Sequence, residues 1–192
     1  MIAIITFCSI LESVQANSFQ HFQGGLLMSK TLVLYYSYFG NTRKIAETIA
    51  ESLETDIREV KIKNEKKSQG LLGKIFTEMR KGSKIELEPI ELDFSAYDTV
   101  FLGSPIWGGG PATPIDIILR DGTVSGKKIA WFYCTGGESD SKSTERIIEK
   151  GKAKINKHNS FVSAAGFARV LKRPEQAMEI AVAWAREAVS QG

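Results

Sequence analysis

Leu32, Val33, Leu34, Tyr35 and Tyr36 form an unbroken apolar run of strand length. A strand apolar at every position has both faces covered, as in a parallel sheet. Ile45, Ala46, Ile49, Ala50 and Leu53 follow at helical spacing, and the pattern switch predicts the first half of a βαβ unit. Asp56 to Lys63 alternates Ile57, Val60 and Ile62 with charges, predicting a strand nearer the sheet edge. Asn64 to Gly70 reads as a polar loop. Leu71, Leu72, Ile75, Phe76 and Met79 form a short amphipathic stripe, expected to cover the sheet, with partner docking as the alternative. Ile85 to Glu91 alternates apolar and acidic residues around Pro89, which suits an edge or an extended connection.

The remaining elements repeat the alternation. Thr99 to Leu102 predicts a buried strand, followed by a long Gly- and Pro-rich turn from Gly103 to Pro111 and a helix holding Ile115, Ile118 and Leu119. Ile129 to Cys134 predicts the next strand and Glu145 to Ile155 its helix. Phe161 to Phe167 predicts the last strand. Glu175 to Val189 predicts a closing helix with Ala177, Ile180, Ala181 and Trp184 on one face. Strands alternating with helices give a doubly wound α/β sandwich of one domain. No internal repeat is visible.

Three loops depart from ordinary connections, and they follow the first, third and fourth strands. In this architecture ligands bind at the carboxyl ends of the strands. Ser37-Tyr38-Phe39-Gly40-Asn41-Thr42 offers hydroxyls and backbone amides at a helix N-terminus, where the dipole favours an anion. Arg43 and Lys44 stand in the first helical turn, a position unfavourable for cations that a bound phosphate reverses. There is no Gly-Lys-Ser/Thr and no Gly-x-Gly-x-x-Gly after the strand, which excludes a triphosphate loop and a dinucleotide fingerprint. A single phosphate suits the turn; a plain connection capped by Asn41 or Thr42 is the alternative. The second loop sets Trp107 among glycines, without neighbouring bulk, as a face for a flat ring. The third supplies Thr135, Gly136 and Gly137, where backbone can approach such a ring closely.

Composition narrows the classes. The chain has 192 residues, 43% hydrophobic and 24% charged, with a net charge of +3, which fits one globular domain. Lys and Arg alternate with Glu and Asp, so no basic stripe argues for nucleic acid. Cys8, Cys134, His21 and His158 have no metal-site spacing. No Ser-His-Asp set, Cys-His pair or paired carboxylates indicates a catalytic residue, and a reduced cytoplasmic setting is expected. Residues 1–27 hold no Lys or Arg and a single acid, Glu12. They lack the basic start of a signal peptide and are too short in apolar length to span a bilayer. They are expected to be a non-native or disordered extension, with translation starting at Met28 and the domain running over 28–192. A weak membrane or export segment is the rival reading.

With these motifs in hand, the chain from about Lys30 onward resembles the flavodoxin-like FMN proteins. Ser37, Gly40 and Thr42 match the family's phosphate loop, while Phe39 replaces its second hydroxyl. Gly103-Ser104-Pro105-Ile106-Trp107-Gly108 resembles the first flavin loop, and Thr135-Gly136-Gly137 the second, without its common aromatic. The resemblance implies a five-stranded parallel sheet, order 2-1-3-4-5, in the short-chain form. It implies FMN held by Ser37, Tyr38, Phe39, Gly40, Asn41, Thr42, Pro105, Ile106, Trp107, Gly108, Thr135, Gly136 and Gly137, with electron transfer at the flavin ring. Its implied partners are redox proteins or a small planar acceptor. A nicotinamide-dependent FMN quinone or flavin reductase, and a fold member without catalysis, remain as alternatives.

Overall fold

The computed structural model describes residues 30–63 and 85–191. The expected extension at 1–27, the polar loop from Asn64 and the amphipathic stripe at Leu71–Met79 lie outside the described residues. Strands β1 (Thr31–Tyr35), β2 (Asp56–Glu59), β3 (Thr99–Trp107), β4 (Gly110–Pro111), β5 (Lys128–Thr135) and β6 (Ser160–Ala168) alternate with helices α1 (Asn41–Leu53), α2 (Thr113–Arg120), α3 (Ser141–Ile155) and α4 (Pro174–Gln191). Single 3-10 turns cover Phe94–Ala96 and Val170–Lys172. The sheet order is β2-β1-β3-β5-β6, all parallel, with β4 paired antiparallel to β3 alone. The five parallel strands take the expected order; β4 is an addition to it.

The continuous apolar run of β1 follows from cover on both faces. Leu32 and Leu34 join Leu102, Ile115, Ile118, Trp131, Ile147 and Ile155 on one side. Val33 and Tyr35 join Ile45, Ile49, Phe101, Phe132, Ala181 and Ala185 on the other. Side chains alternate across a strand, so consecutive residues enter different cores. The face α4 buries is narrow and small, made of Ala177, Ala181, Ala185 and Ala188. Trp184 packs partly against that core, edge-on to Phe101 with centroids 5.4 Å apart. Ile180, expected on the buried face, is 51% exposed; the helix seats on its alanine spacing.

The expected loop at 103–111 is largely sheet. β3 runs on to Trp107 and folds back, pairing Ile106 with Pro111 and Trp107 with Gly110. The two residues between, Gly108 at φ 59° and Gly109 at φ 79°, both have positive φ. That pair of angles marks a type I′ hairpin, whose twist suits the flanking strands. Ser104, fully buried, accepts from the Ala112 amide at 2.8 Å and ties the hairpin's return to α2. Beyond β2, Ile62 bridges antiparallel to Leu87, so 85–91 is an extended edge connection, as Pro89 suggests.

Candidate functional site

The chain leaves β1 through Tyr36, whose amide donates to the Gly103 carbonyl at 3.1 Å. The turn that follows is fixed internally. Ser37 is buried, and its Oγ accepts from the Gly40 amide at 3.2 Å. Gly40 sits at φ 91°, the left-handed value that glycine adopts without strain, and opens α1 as its N-cap. Its carbonyl accepts the first helical bond, from Lys44, at 3.0 Å. No side chain caps α1, and no acid stands in its first turn. The positive end of the helix dipole therefore faces the turn without a side-chain counter-group at its cap.

Asn41 and Thr42, the residues that would cap an ordinary connection, are engaged elsewhere. Asn41 Oδ1 accepts from the Leu171 amide at 3.1 Å, fastening the turn to the 3-10 segment after β6. Thr42 is buried, with its hydroxyl bonded to the Cys134 thiol at the end of β5. Burial pushes that thiol up to about 12, and the Thr42 contact opposes the rise only in part. Cys134 is free and un-ionised at neutral pH, a strand-end thiol in the cavity floor.

The cationic first turn has a different partner from the one the sequence suggests. Arg43 Nη2 donates at 2.6 and 2.9 Å to the two oxygens of half-buried Glu59 at the end of β2. The Glu59 carboxylate and the Tyr35 hydroxyl raise the guanidinium's pKa further. Arg43 is compensated within the protein and does not require a phosphate. β2 and α1 meet only in space, so residue spacing holds no sign of this pair.

Trp107 stands on the second loop, and it too is supported. Its ring meets Tyr36 edge-on, with centroids 5.6 Å apart and planes at 84°, and Tyr38 at 6.3 Å and 73°. Tyr38 in turn meets Phe39 at 4.7 Å and 88°. The expectation that Trp107 lacks neighbouring bulk is corrected: tyrosines from the first loop brace it. Edge-to-face contacts of this kind hold an aromatic plane in a set orientation.

The three loops enclose a cavity of about 260 Å³. The first contributes Ser37, Tyr38, Phe39, Asn41 and Thr42, the second Pro105, Ile106 and Trp107, and the third Cys134, Thr135 and Gly136. Of the expected site residues, Gly40, Gly108 and Gly137 do not line it. Gly40 is the turn's hinge and Gly108 the hairpin tip. The Gly137 carbonyl accepts from Thr135 Oγ1 at 2.7 Å and closes the third loop. Cys134 is the lining residue the site reading missed; its place at a strand end was the available signal. Larger hollows of about 610 and 460 Å³ lie between α1 and α4 and at the opposite strand ends near Lys30. Neither has aromatic or glycine-loop lining, and volume alone does not make a site.

Nearby acids are already spoken for. Glu138 pairs with Arg169 at 3.6 Å. Asp140 caps α3 by accepting from the Ser143 amide at 2.7 Å, and the Ser143 bonds hold its carboxyl below the usual range.

Known proteins resemble this chain in sequence and in fold. Residues 30–165 match the family model described as flavodoxin. The flavodoxin-like domain-containing protein BilS of Clostridioides difficile (strain CD3) is 32% identical over 149 residues, covering 74% of this chain and 70% of that protein. A flavoprotein from Lactobacillus acidophilus, crystallised in complex with FMN, is 28% identical with a TM-score of 0.58, over 72% of this chain and 93% of that one. A Bacteroides uniformis protein described as a flavoprotein shares the fold at 21% identity and a TM-score of 0.66, over 82% of this chain and 98% of that one. By sequence match and by the parallel sheet that places these three loops together, the chain belongs to the flavodoxin family.

Proposed function

We propose that this chain binds FMN in the three-loop cavity and acts as a flavodoxin-type redox protein of the cytoplasm. One observation supports this most. The N-terminus of α1, uncapped by any side chain, opens beside two buried hydroxyls, Ser37 and Thr42, and a braced tryptophan. Those groups fit a phosphate dianion joined to a flat ring. The Ser37 Oγ proton remains available as a donor while its lone pair holds Gly40. Turn and first-helical-turn amides add donors, and the dipole favours the charge. On the ring side, Trp107, Tyr38, Thr135 and Gly136 belong to the lining. The cavity is slightly below the ~300–1,000 Å³ usual for ligand pockets, so the mouth leaves a ligand's outer edge reachable by a partner.

Bound FMN supplies one- and two-electron chemistry; the chain binds, orients and shields it. Pro105 and Ile106 give this end of the cavity an apolar lining. The neutral Cys134 thiol adds no charge to it. A second reading, reduction of a planar acceptor by a reduced nicotinamide, is favoured by the open space beside Gly136 and Gly137, where an added Cβ would meet nothing within 4 Å. Titration of FMN-free protein with FMN and with riboflavin tests the binding proposal. FMN is expected to bind at least about tenfold more tightly, the effect of one charge-assisted bond; equal affinity overturns the phosphate assignment. Steady turnover of reduced nicotinamide with a quinone selects the reductase reading, and its absence the carrier.

A further inference from the structure

Four large apolar side chains are markedly exposed among the described residues: Phe39, Leu171, Ile180 and Val189. Two of them, Phe39 at 61% and Leu171 at 57%, belong to the cavity's first loop and to the segment bonded to that loop. Phe39 lines the cavity itself. Leu171 is fixed to the same turn through its amide bond to Asn41 Oδ1. Around Leu171 the chain reads Arg169-Val170-Leu171-Lys172-Arg173, with Val170 buried and the other four exposed. The segment is pinned at several points: the Arg169 amide donates to the Thr135 carbonyl at 3.3 Å, and the Lys172 and Arg173 amides donate to the Arg169 carbonyl at 2.8 and 3.2 Å. The acids on this rim are Glu138, paired with Arg169, Asp140, which caps α3, and exposed Glu175 at the start of α4. Exposed apolar anchors inside a charged rim are the anatomy of a protein interface.

We infer that the Phe39–Leu171 rim, with Arg169, Lys172 and Arg173, is a docking surface for a small acidic electron-transfer protein. The argument is charge complementarity. Lys172 and Arg173 have no ion-pair partner among the described residues, and Glu138 is matched by Arg169. An acidic partner meets attraction at long range and two apolar contacts at short range. Docking there places the partner beside the cavity mouth, so this inference rests on the flavodoxin-type reading and names the partner's chemistry. One electron passes per encounter, from a reduced partner that is oxidised to the bound flavin that is reduced, or in reverse.

The probe is an acidic plant-type [2Fe–2S] ferredoxin, with a basic c-type cytochrome as control. Affinity is measured by calorimetry on both FMN-free and FMN-loaded protein, at low and moderate salt. Ferredoxin is expected to bind the wild type, more weakly as salt rises, and the cytochrome not to bind. Lys172→Glu/Arg173→Glu is expected to weaken ferredoxin at least about tenfold and flatten the salt dependence. Leu171→Ser is expected to weaken it several-fold with the salt dependence retained. FMN affinity is expected to stay unchanged in both variants, since neither alters a cavity-lining side chain. Equal ferredoxin binding by wild type and the charge-reversed variant overturns the inference. So does preference for the cytochrome, or a charge reversal that alters only the KM for a phosphorylated nicotinamide. If FMN does not bind the wild type, the flavodoxin-type reading fails by itself, while the FMN-free titrations still judge the surface.

Discussion

Ser37→Ala and Thr42→Ala probe the proposed phosphate end most directly, because both hydroxyls are buried and neither is replaced by solvent. A hydrogen bond to a charged group contributes about 1.5–3 kcal/mol, which is roughly 10- to 150-fold in affinity for each hydroxyl. The two are not expected to be equal. Thr42 is also bonded to the Cys134 thiol, so a phosphate that took its proton would end a neutral contact, and the net loss sits at the lower end. Ser37 accepts from Gly40 at 3.2 Å through a lone pair and keeps its proton for the ligand, so its deletion belongs higher in that range. It also leaves the Gly40 amide without this acceptor, lowering the stability of the FMN-free protein by about 1 kcal/mol. The assay is flavin-fluorescence quenching with FMN and riboflavin on each single variant and the double variant, with urea unfolding alongside. The expected outcome is FMN affinity reduced at least about tenfold in each, with riboflavin hardly changed. Equal losses for both flavins would show that the hydroxyls shape the loop without facing phosphate.

Other outcomes follow from features away from the hydroxyls. Gly108→Val puts a β-branched residue at φ 59°, and urea unfolding is expected to register about 1–2 kcal/mol of lost stability even without ligand; an unchanged midpoint means the hairpin tip is free to relax. Tyr97 bonds to Asp56 and holds its carboxyl below the usual 3.8. A depressed carboxyl stabilises the fold above its unfolded pKa, and this contribution fades as pH falls through the folded one. The stability difference between wild type and Tyr97→Phe is therefore expected to be full above about pH 4 and to shrink below it; a pH-independent difference refutes the linkage. With Glu138 paired to Arg169, little uncompensated negative charge surrounds the cavity. Full reduction of bound FMN is accordingly expected at a less negative potential than in an acidic flavodoxin titrated alongside; an equal or lower value contradicts this electrostatic account.

The sheet was legible because its strands are covered on both faces. Leu32 to Tyr36 and Ile129 to Cys134 are continuous in apolar character for that reason, and the helices between them keep clear stripes. The hairpin after β3 was harder. Trp107-Gly108-Gly109-Gly110 has the two-residue glycine signal of a tight hairpin, but Pro111 and the short return strand hide the pairing partner. Trp107 read as unsupported because its braces, Tyr36 and Tyr38, come from a loop some seventy positions earlier. Arg43 read as awaiting an anion because Glu59 reaches it only across the β2 end. Ile180 read as buried because it falls at helical spacing beside Ala177, Ala181 and Trp184, whereas the buried stripe is Ala177, Ala181, Ala185 and Ala188. For Trp107 and Arg43 the local pattern was informative and the decisive neighbour was distant in sequence.

The bond from Leu171 to Asn41 spans 130 positions. It joins nearly the first described turn of the chain to the segment just before its last helix, and the Arg169 amide ties that segment to Thr135 as well. A growing chain thus has the hydroxyl turn well before its clasp. Contacts so far apart in sequence form late, after shorter closures have been made. The pocket consequently takes its final form only once that segment has left the ribosome, and ligand capture during synthesis waits for it. A chain that stops short of Arg169 would retain every cavity-lining residue and still lack the bonds that tie Asn41 and Thr135 together.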